Sequence, residues 1–293
     1  ELPPDVRRVP SYEALLADRN LEIELFNAVR EENHPGARVL VPCYRMQGRI
    51  DYHVACYELA TGALLWSTQL ISGQRERNMF GRAVKEFNTT PVLVDGAHVL
   101  TQTELGTVAA LDLFSGRLLW QATYSQIDLP RTKSYQSPTR ATTWNLAPPV
   151  VVGDVLVCAP VDSRELMAFS IATGAELWVY REEQLQELHR DSDMYGFRHL
   201  VGADADTVYL SGGKLSALQK PGGLRTRAPF FPRWTRELER PDTLWPRPAL
   251  AKDVILVPNG LRRTAYDRRT GELVPSASGD WNGGECGNLW LGE

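Results

Sequence analysis

The residue types able to do chemistry are sparse in this chain and poorly spaced for it. His189, Asp191, Asp193 and His199 fall within eleven residues. Such a set could hold a divalent metal if rigid elements and an outer shell of hydrogen bonds brought it together. It sits instead in a charged, loop-like stretch, where clusters of this kind arise without a ligand, so no metal site is assigned. His189-Arg190-Asp191 repeats a kinase catalytic triplet, but no glycine-rich loop or Asp-Phe-Gly accompanies it. There is no Gly-x-Ser-x-Gly elbow, and Ser, His and Asp are otherwise scattered. The pair Glu182-Glu183 reads as a solvated face. Asn88-Thr89-Thr90 fits the N-glycosylation pattern, a match that carries little weight alone. No catalytic residue is assigned.

Four cysteines, Cys43, Cys56, Cys158 and Cys286, include no Cys-x-x-Cys, which removes zinc ribbons and thioredoxin-type chemistry. If the turn between Cys43 and Cys56 centres on Arg49-Ile50, the two cysteines lie directly opposite and could form a cross-strand disulfide. Such bridges strain the ideal geometry. The preferred reading is that Cys56 fills a small-residue position in a repeat.

Composition narrows the partners. The chain has 293 residues, is 43% hydrophobic and carries a net charge of -4, with a pI of about 5.8. It can bury a sizeable core as one large all-β domain. It has neither the basic stripe nor the high pI of a nucleic-acid binder, and an anionic membrane surface is disfavoured on the same grounds. No apolar run approaches the ~18 residues of a membrane span. Glu1-Leu2-Pro3-Pro4-Asp5 does not open a signal peptide.

The elements that must carry any site come from an internal repeat. Cys56-Tyr57-Glu58-Leu59-Ala60-Thr61-Gly62 recurs as Ala110-Leu111-Asp112-Leu113-Phe114-Ser115-Gly116 and as Ala168-Phe169-Ser170-Ile171-Ala172-Thr173-Gly174. A weaker copy is Ala217-Leu218-Gln219-Lys220-Pro221-Gly222-Gly223, and a fifth is Ala265-Tyr266-Asp267-Arg268-Arg269-Thr270-Gly271. Successive glycines are 54, 58, 49 and 48 residues apart, longer than a minimal propeller blade of ~40–45 residues, so long loops are expected. Trp66, Trp120 and Trp178 follow the first three glycines by four residues. Arg227 and Pro275 stand there in the last two copies, which read as drifted. The glycine suits the left-handed end of a hairpin loop, and the polar and hydroxyl residues can bond turn backbone. A second hairpin lies upstream, as in Pro91–Leu100, Pro149–Leu156 and Pro248–Ile255. Each repeat therefore holds four antiparallel strands, A to D, with no helix between, which is the signature of a β-propeller blade. One such sheet cannot cover its own faces, so blades must stack.

The stretch 110–120, Ala-Leu-Asp-x-x-Ser-Gly-x-x-x-Trp, resembles the tryptophan-docking repeat of pyrroloquinoline-quinone (PQQ)-like propellers. These occur in quinoprotein alcohol dehydrogenases and in the non-enzymatic outer-membrane assembly factor B family, to which the chain is closer in character. The resemblance runs from about residue 25 to 291. It implies an all-β propeller with blades near 25–70, 86–122, 144–180, 197–234 and 246–275, and the start of another at 286–293. Gly287–Leu291 reads as the innermost strand of that sixth blade. An incomplete ring of seven or eight blades is expected. Residues 1–24 form an N-terminal extension, with a short capped helix expected over Ser11–Asn20. Gly62, Gly116, Gly174 and Gly271, with Trp66, Trp120 and Trp178, are assigned to blade structure, the tryptophans docking on the next blade.

In the dehydrogenases of this family the quinone lies between a Trp and a disulfide of adjacent cysteines, beside calcium. This sequence has no adjacent cysteine pair, so no cofactor is assigned; PQQ with calcium belongs only to the dehydrogenase alternative.

Strand parity puts the A–B and C–D turns on one face and the B–C turns and D-to-A links on the other. The D-to-A links, about 71–87, 123–145, 181–197 and 235–246, are long, and long irregular loops are where binding residues gather. They are rich in Arg and aromatics, the types enriched at interaction hot spots. Arg75, Arg77, Phe80, Arg131, Lys133, Tyr135, Trp144, His189, Tyr195 and Arg198 are the candidates for a binding face. The expected function is a non-catalytic scaffold for a protein or polymer partner, with no nucleic acid and no membrane span. The resemblance implies a bacterial, extracytoplasmic and specifically periplasmic setting. A quinoprotein dehydrogenase, or a carbohydrate-binding or sensor propeller fused to another domain, are the alternatives.

Overall fold

The computed structural model describes residues 37–46, 48–74, 77–78, 80–83, 89–128, 142–188, 197–238, 246–259 and 262–280. The expected helix at Ser11–Asn20 and the expected strand at Gly287–Leu291 lie outside them. The chain divides into two compact units at Thr142/Thr143.

The first unit holds two antiparallel sheets. One is formed by β1 (Arg38–Met46), β2 (Arg49–Glu58) and β3 (Leu64–Gln74); the other by β4 (Leu93–Asp95), β5 (His98–Gln102), β6 (Thr107–Asp112) and β7 (Leu118–Thr123). The second unit holds three four-stranded sheets. These are β8 (Val150–Val152) to β11 (Glu176–Arg181), β12 (Phe197–Ala203) to β15 (Phe231–Glu237), and β16 (Ala249–Leu250) to β19 (Gly279–Asp280). Strands within each sheet pair antiparallel in chain order. The fold is all-β and of propeller type.

Burial follows the position of a strand in its blade. The middle strands are buried residue after residue, as in β6 and in β13 (Thr207–Gly212). Both faces of β13 are covered, Val208 and Leu210 lying in one core and Tyr209 in another, so alternation disappears, as in any strand buried on two sides. The outermost strand β7 mixes exposed and half-buried positions and has no fully buried residue. Leu40, Val54, Val99 and Leu111 share a core in the first unit; Val157, Leu166, Leu200 and Leu210 share one in the second.

One backbone bond recurs in all five sheets. The residue three places before the repeat glycine, or before Gly223 in the fourth copy, donates its N–H to the turn or strand start beside it. The pairs are Leu59→Ala37 at 2.8 Å, Leu113→Ala97 at 2.8 Å, Ile171→Asp154 at 2.9 Å, Lys220→Asp206 at 2.6 Å and Arg268→Asp253 at 2.9 Å. In the four complete sheets this places the A–B and C–D turns side by side on one face.

The C–D turns are built from their own side chains. Asp112 accepts from the N–H groups of Phe114 and Ser115 and from the Ser115 hydroxyl; Asp267 does the same for Arg269 and Thr270. These bonds hold both carboxyls below the usual range, that from Ser115 and that from Thr270 being the largest effects.

The register of the first hairpin corrects one expectation. Cys43 pairs with His53, and Cys56 with Leu40, because the turn centres on Gly48 rather than on Arg49-Ile50. Gly48 has φ of 82°, which only glycine adopts without cost. Cys43 and Cys56 are both free and buried, and Cys56 fills the small-residue position, opposite Trp66.

Candidate functional site

Trp66 and Trp178 dock on the following sheet. The Trp66 indole donates to the Leu113 carbonyl at 3.0 Å, and Thr68, two residues on, donates to the Gly116 carbonyl at 2.6 Å. A Cβ on Gly116 would stand 2.5 Å from the Trp66 ring. Trp178 donates to Leu224 at 2.6 Å.

The fourth copy keeps this device, contrary to the expectation of drift. Trp234 pairs with Ala217, just as Trp120 pairs with Ala110 and Trp178 with Ala168. It donates to the Arg268 carbonyl at 3.2 Å and covers Gly271. Trp234 lies eleven residues beyond Gly223 instead of four, so the fixed spacing points to Arg227, which is exposed. The signal available in the sequence was Trp234-x-Arg236 in an outer strand, matching Trp66-x-Thr68. Arg236 bonds the Gly271 carbonyl at 2.8 Å, as Thr68 bonds that of Gly116.

The expected binding-face residues separate into several groups. Arg75, Arg131, Lys133, Tyr135, His189 and Tyr195 lie outside the described residues. Arg77 and Phe80 belong to a small hairpin in the first unit, closed by a bridge between Arg77 and Ala83. The Asn78 side chain accepts from the N–H groups of Phe80 and Arg82, both at 3.0 Å, and Phe80 is 39% exposed.

Trp144 is corrected. Its side chain is fully buried in the core of the second unit and its indole donates to the Glu165 carbonyl at 3.1 Å. An indole this large reaches the core wherever its one polar atom finds an acceptor. Trp144 and Arg198 are brought close together: Asn145 N–H donates to the Arg198 carbonyl at 2.6 Å, and the Arg198 guanidinium donates to the Thr143 carbonyl at 3.2 Å. His199 lies beside them, 3.1 Å from the Asn145 amide. The link after β11 begins with a short helix, α1 (Glu182–Glu187), which turns Leu185 into the core. Glu182, expected on a solvated face, is half-buried and accepts from the Thr143 hydroxyl at 3.2 Å.

Two polar constellations lie outside those expectations. Lys220 is fully buried. Its ammonium lies 5.3 Å from the centroids of Trp178 and Tyr180 and 4.6 Å from that of Phe230, and donates to the Ala228 carbonyl. Burial pulls its pKa down to about 8, while ring faces this close favour the charged form.

The second constellation is a cleft of about 350 Å³ in the second unit, lined by Asp204, Tyr209, Arg233, Lys252, Asp253, Asp267, Arg268 and Arg269. It opens on the face of the short turns, not that of the long links. Arg268 forms its floor. The guanidinium pairs with Asp204 at 2.8 Å, donates to the Lys252 carbonyl at 3.0 Å and faces the Tyr209 ring at 5.8 Å. Tyr209 donates to the same Asp204 oxygen at 2.8 Å, and burial, aided by that carboxylate, pushes its hydroxyl up to about 12. Tyr209 therefore stays a neutral donor at ordinary pH.

The described residues do not fit a quinone site of the dehydrogenase kind. Cys43, Cys56 and Cys158 are separately buried, free thiols, and the Trp66 and Trp178 rings are committed to neighbouring turns. Burial pushes the Cys158 thiol far above its usual range. Among the described residues no group of three or more His, Cys, Asp or Glu stands close enough to hold a metal ion, and no helix is long and apolar enough to cross a membrane.

A family model described as outer membrane protein assembly factor BamB matches residues 50–282. Among solved structures, BamB from Moraxella catarrhalis shares 16% identity over 80% of this chain and 59% of its own, with a TM-score of 0.48. The quinohemoprotein alcohol dehydrogenase from Comamonas testosteroni shares 14% identity over 92% of this chain and 46% of its own, with a TM-score of 0.51. The likeness to the dehydrogenase is one of fold, and the chain spans only about half to three-fifths of either protein. No curated protein matches the sequence. The repeat, its docking tryptophans and a match across most of its length show that the chain belongs to the PQQ-like propeller family of the outer membrane protein assembly factor BamB.

Proposed function

We propose that the chain is a non-catalytic scaffold that binds a protein partner through the face built by its long links and B–C turns, in a periplasmic setting. The observation that carries this reading is the hairpin 77–83. Asn78 fixes its backbone and presents an exposed Phe80 between Arg77 and Arg82. An exposed aromatic between two arginines on a backbone already held in place suits an interface anchor, since the backbone need not be ordered when the partner arrives. The family description, an outer membrane protein assembly factor, supports a protein partner and a place outside the cytoplasm.

Crosslinking and affinity capture from a bacterial envelope extract test this reading. The expected result is one partner, lost when Phe80→Ala is combined with Arg82→Ala and retained when exposed residues of the short-turn face are changed. Retention of the partner by the Phe80/Arg82 variant would overturn the assignment of the face. Dye-linked alcohol oxidation after addition of PQQ and calcium would overturn the non-catalytic reading.

A further inference from the structure

We propose that the cleft between the fourth and fifth sheets is a second binding site, one that takes an extended acidic peptide segment. Three observations carry this inference.

The floor is built in advance. Arg268 is held at three points, by Asp204, by the Lys252 carbonyl and by the face of Tyr209. Its backbone is fixed by the N–H bond to the Asp253 carbonyl at 2.9 Å and by the Asp267 turn. Little conformational freedom remains for a ligand to remove.

The charge left over is cationic. Arg268 pairs with Asp204, and the three other cations of the lining, Arg233, Lys252 and Arg269, outnumber its two other carboxylates, Asp253 and Asp267, by one. Arg233, Lys252 and Arg269 line the same cleft, are exposed, and form no ion pair among the described residues. Guanidiniums offer carboxylates a bidentate fork.

The leftover charge is also mixed. Asp253 is exposed at the rim, where its carboxylate can accept from the backbone N–H groups of a bound peptide. Cations beside an acceptor match a peptide, which has acidic side chains and backbone N–H groups, better than they match phosphate. The volume, near the lower end of the ~300–1,000 Å³ of ligand pockets, suits a short segment.

Titration calorimetry on the full chain at low ionic strength tests this with three probes: acetyl-Asp-Glu-Asp-amide, acetyl-Asn-Gln-Asn-amide and inorganic phosphate. The acidic peptide is expected to bind saturably, and the amide peptide and phosphate at least about tenfold more weakly. Arg233→Gln combined with Arg269→Gln is expected to weaken the acidic peptide by about tenfold or more, equivalent to ~1.4 kcal/mol. Both side chains are exposed, so the thermal midpoint should be unchanged. Equal binding of the amide peptide, or no loss in the double variant, overturns the site. Phosphate binding as tightly as the acidic peptide overturns the peptide assignment and leaves an inorganic-anion site. The Phe80/Arg82 variant is expected to bind the acidic peptide normally, so failure here is separable from failure of the scaffold reading.

Discussion

The Trp234 ring occupies the space a side chain on Gly271 would need: a Cβ there would lie 2.6 Å from the indole, and Gly271 has φ of 71°. The contact ties the outer strand of the fourth sheet to the C–D turn of the fifth. Trp234→Ala removes a buried indole and is expected to cost about 3–5 kcal/mol. Trp234→Phe, which keeps most of the area but loses the bond to Arg268, should cost about 1–2 kcal/mol. Arg227→Ala, at the position the repeat spacing indicates, should stay within about 0.5 kcal/mol. Urea unfolding of the three variants checks the order.

Gly62 and Gly116 test docking against backbone strain. Both have positive φ, 67° and 68°, but a Cβ on Gly62 meets nothing within 4 Å, whereas one on Gly116 strikes the Trp66 ring at 2.5 Å. Gly62→Ala should cost only the left-handed backbone penalty of about 1–2 kcal/mol. Gly116→Ala should cost clearly more, because the ring must also move. Equal losses in thermal denaturation would mean that Trp66 does not depend on that approach.

Lys220 gives a pH signature with a definite sign. Its pKa is about 8 when folded and ~10.4 in an unfolded chain. Between these values the unfolded state binds more protons, so stability rises with pH. Relative to Lys220→Met, the protein should gain on the order of 2–3 kcal/mol between pH 8 and 10.5. Below pH 8 the difference should be flat. Denaturation midpoints of both proteins across this range measure it, and a flat difference throughout would show that the aromatic faces hold the ammonium charged.

The three described cysteines should behave as inert core residues. Burial raises the pKa of Cys43, Cys56 and Cys158 alike, which suppresses the reactive thiolate. Ellman's reagent should leave them unmodified in the native protein at neutral pH. Mass spectrometry of unreduced peptides should find Cys43 and Cys56 as thiols, and a reductant should not shift the melting temperature.

What the sequence determined was the turn chemistry and, through it, the blade. Asp112-x-x-Ser115-Gly116 and Asp267-x-x-Thr270-Gly271 close their own hydrogen bonds within five residues, so a local pattern suffices to place the C–D turn and the strands beside it. The small residue before each turn was also readable, though its reason was not: in the first four copies it stands opposite a tryptophan. Only the tertiary structure decided contacts whose partners lie on other sheets. Trp234 escaped because an insertion broke the spacing while leaving its pairing with Ala217 intact. The Cys43 register turned on one positive φ at Gly48. Trp144 looked like part of a binding loop, yet the Glu165 carbonyl lets its indole enter the core. The cleft around Arg268 gathers residues from Asp204 to Arg269 across two sheets, and no linear spacing records that meeting. Turn formation is decided by near neighbours, whereas burial and convergence are decided by how sheets stack.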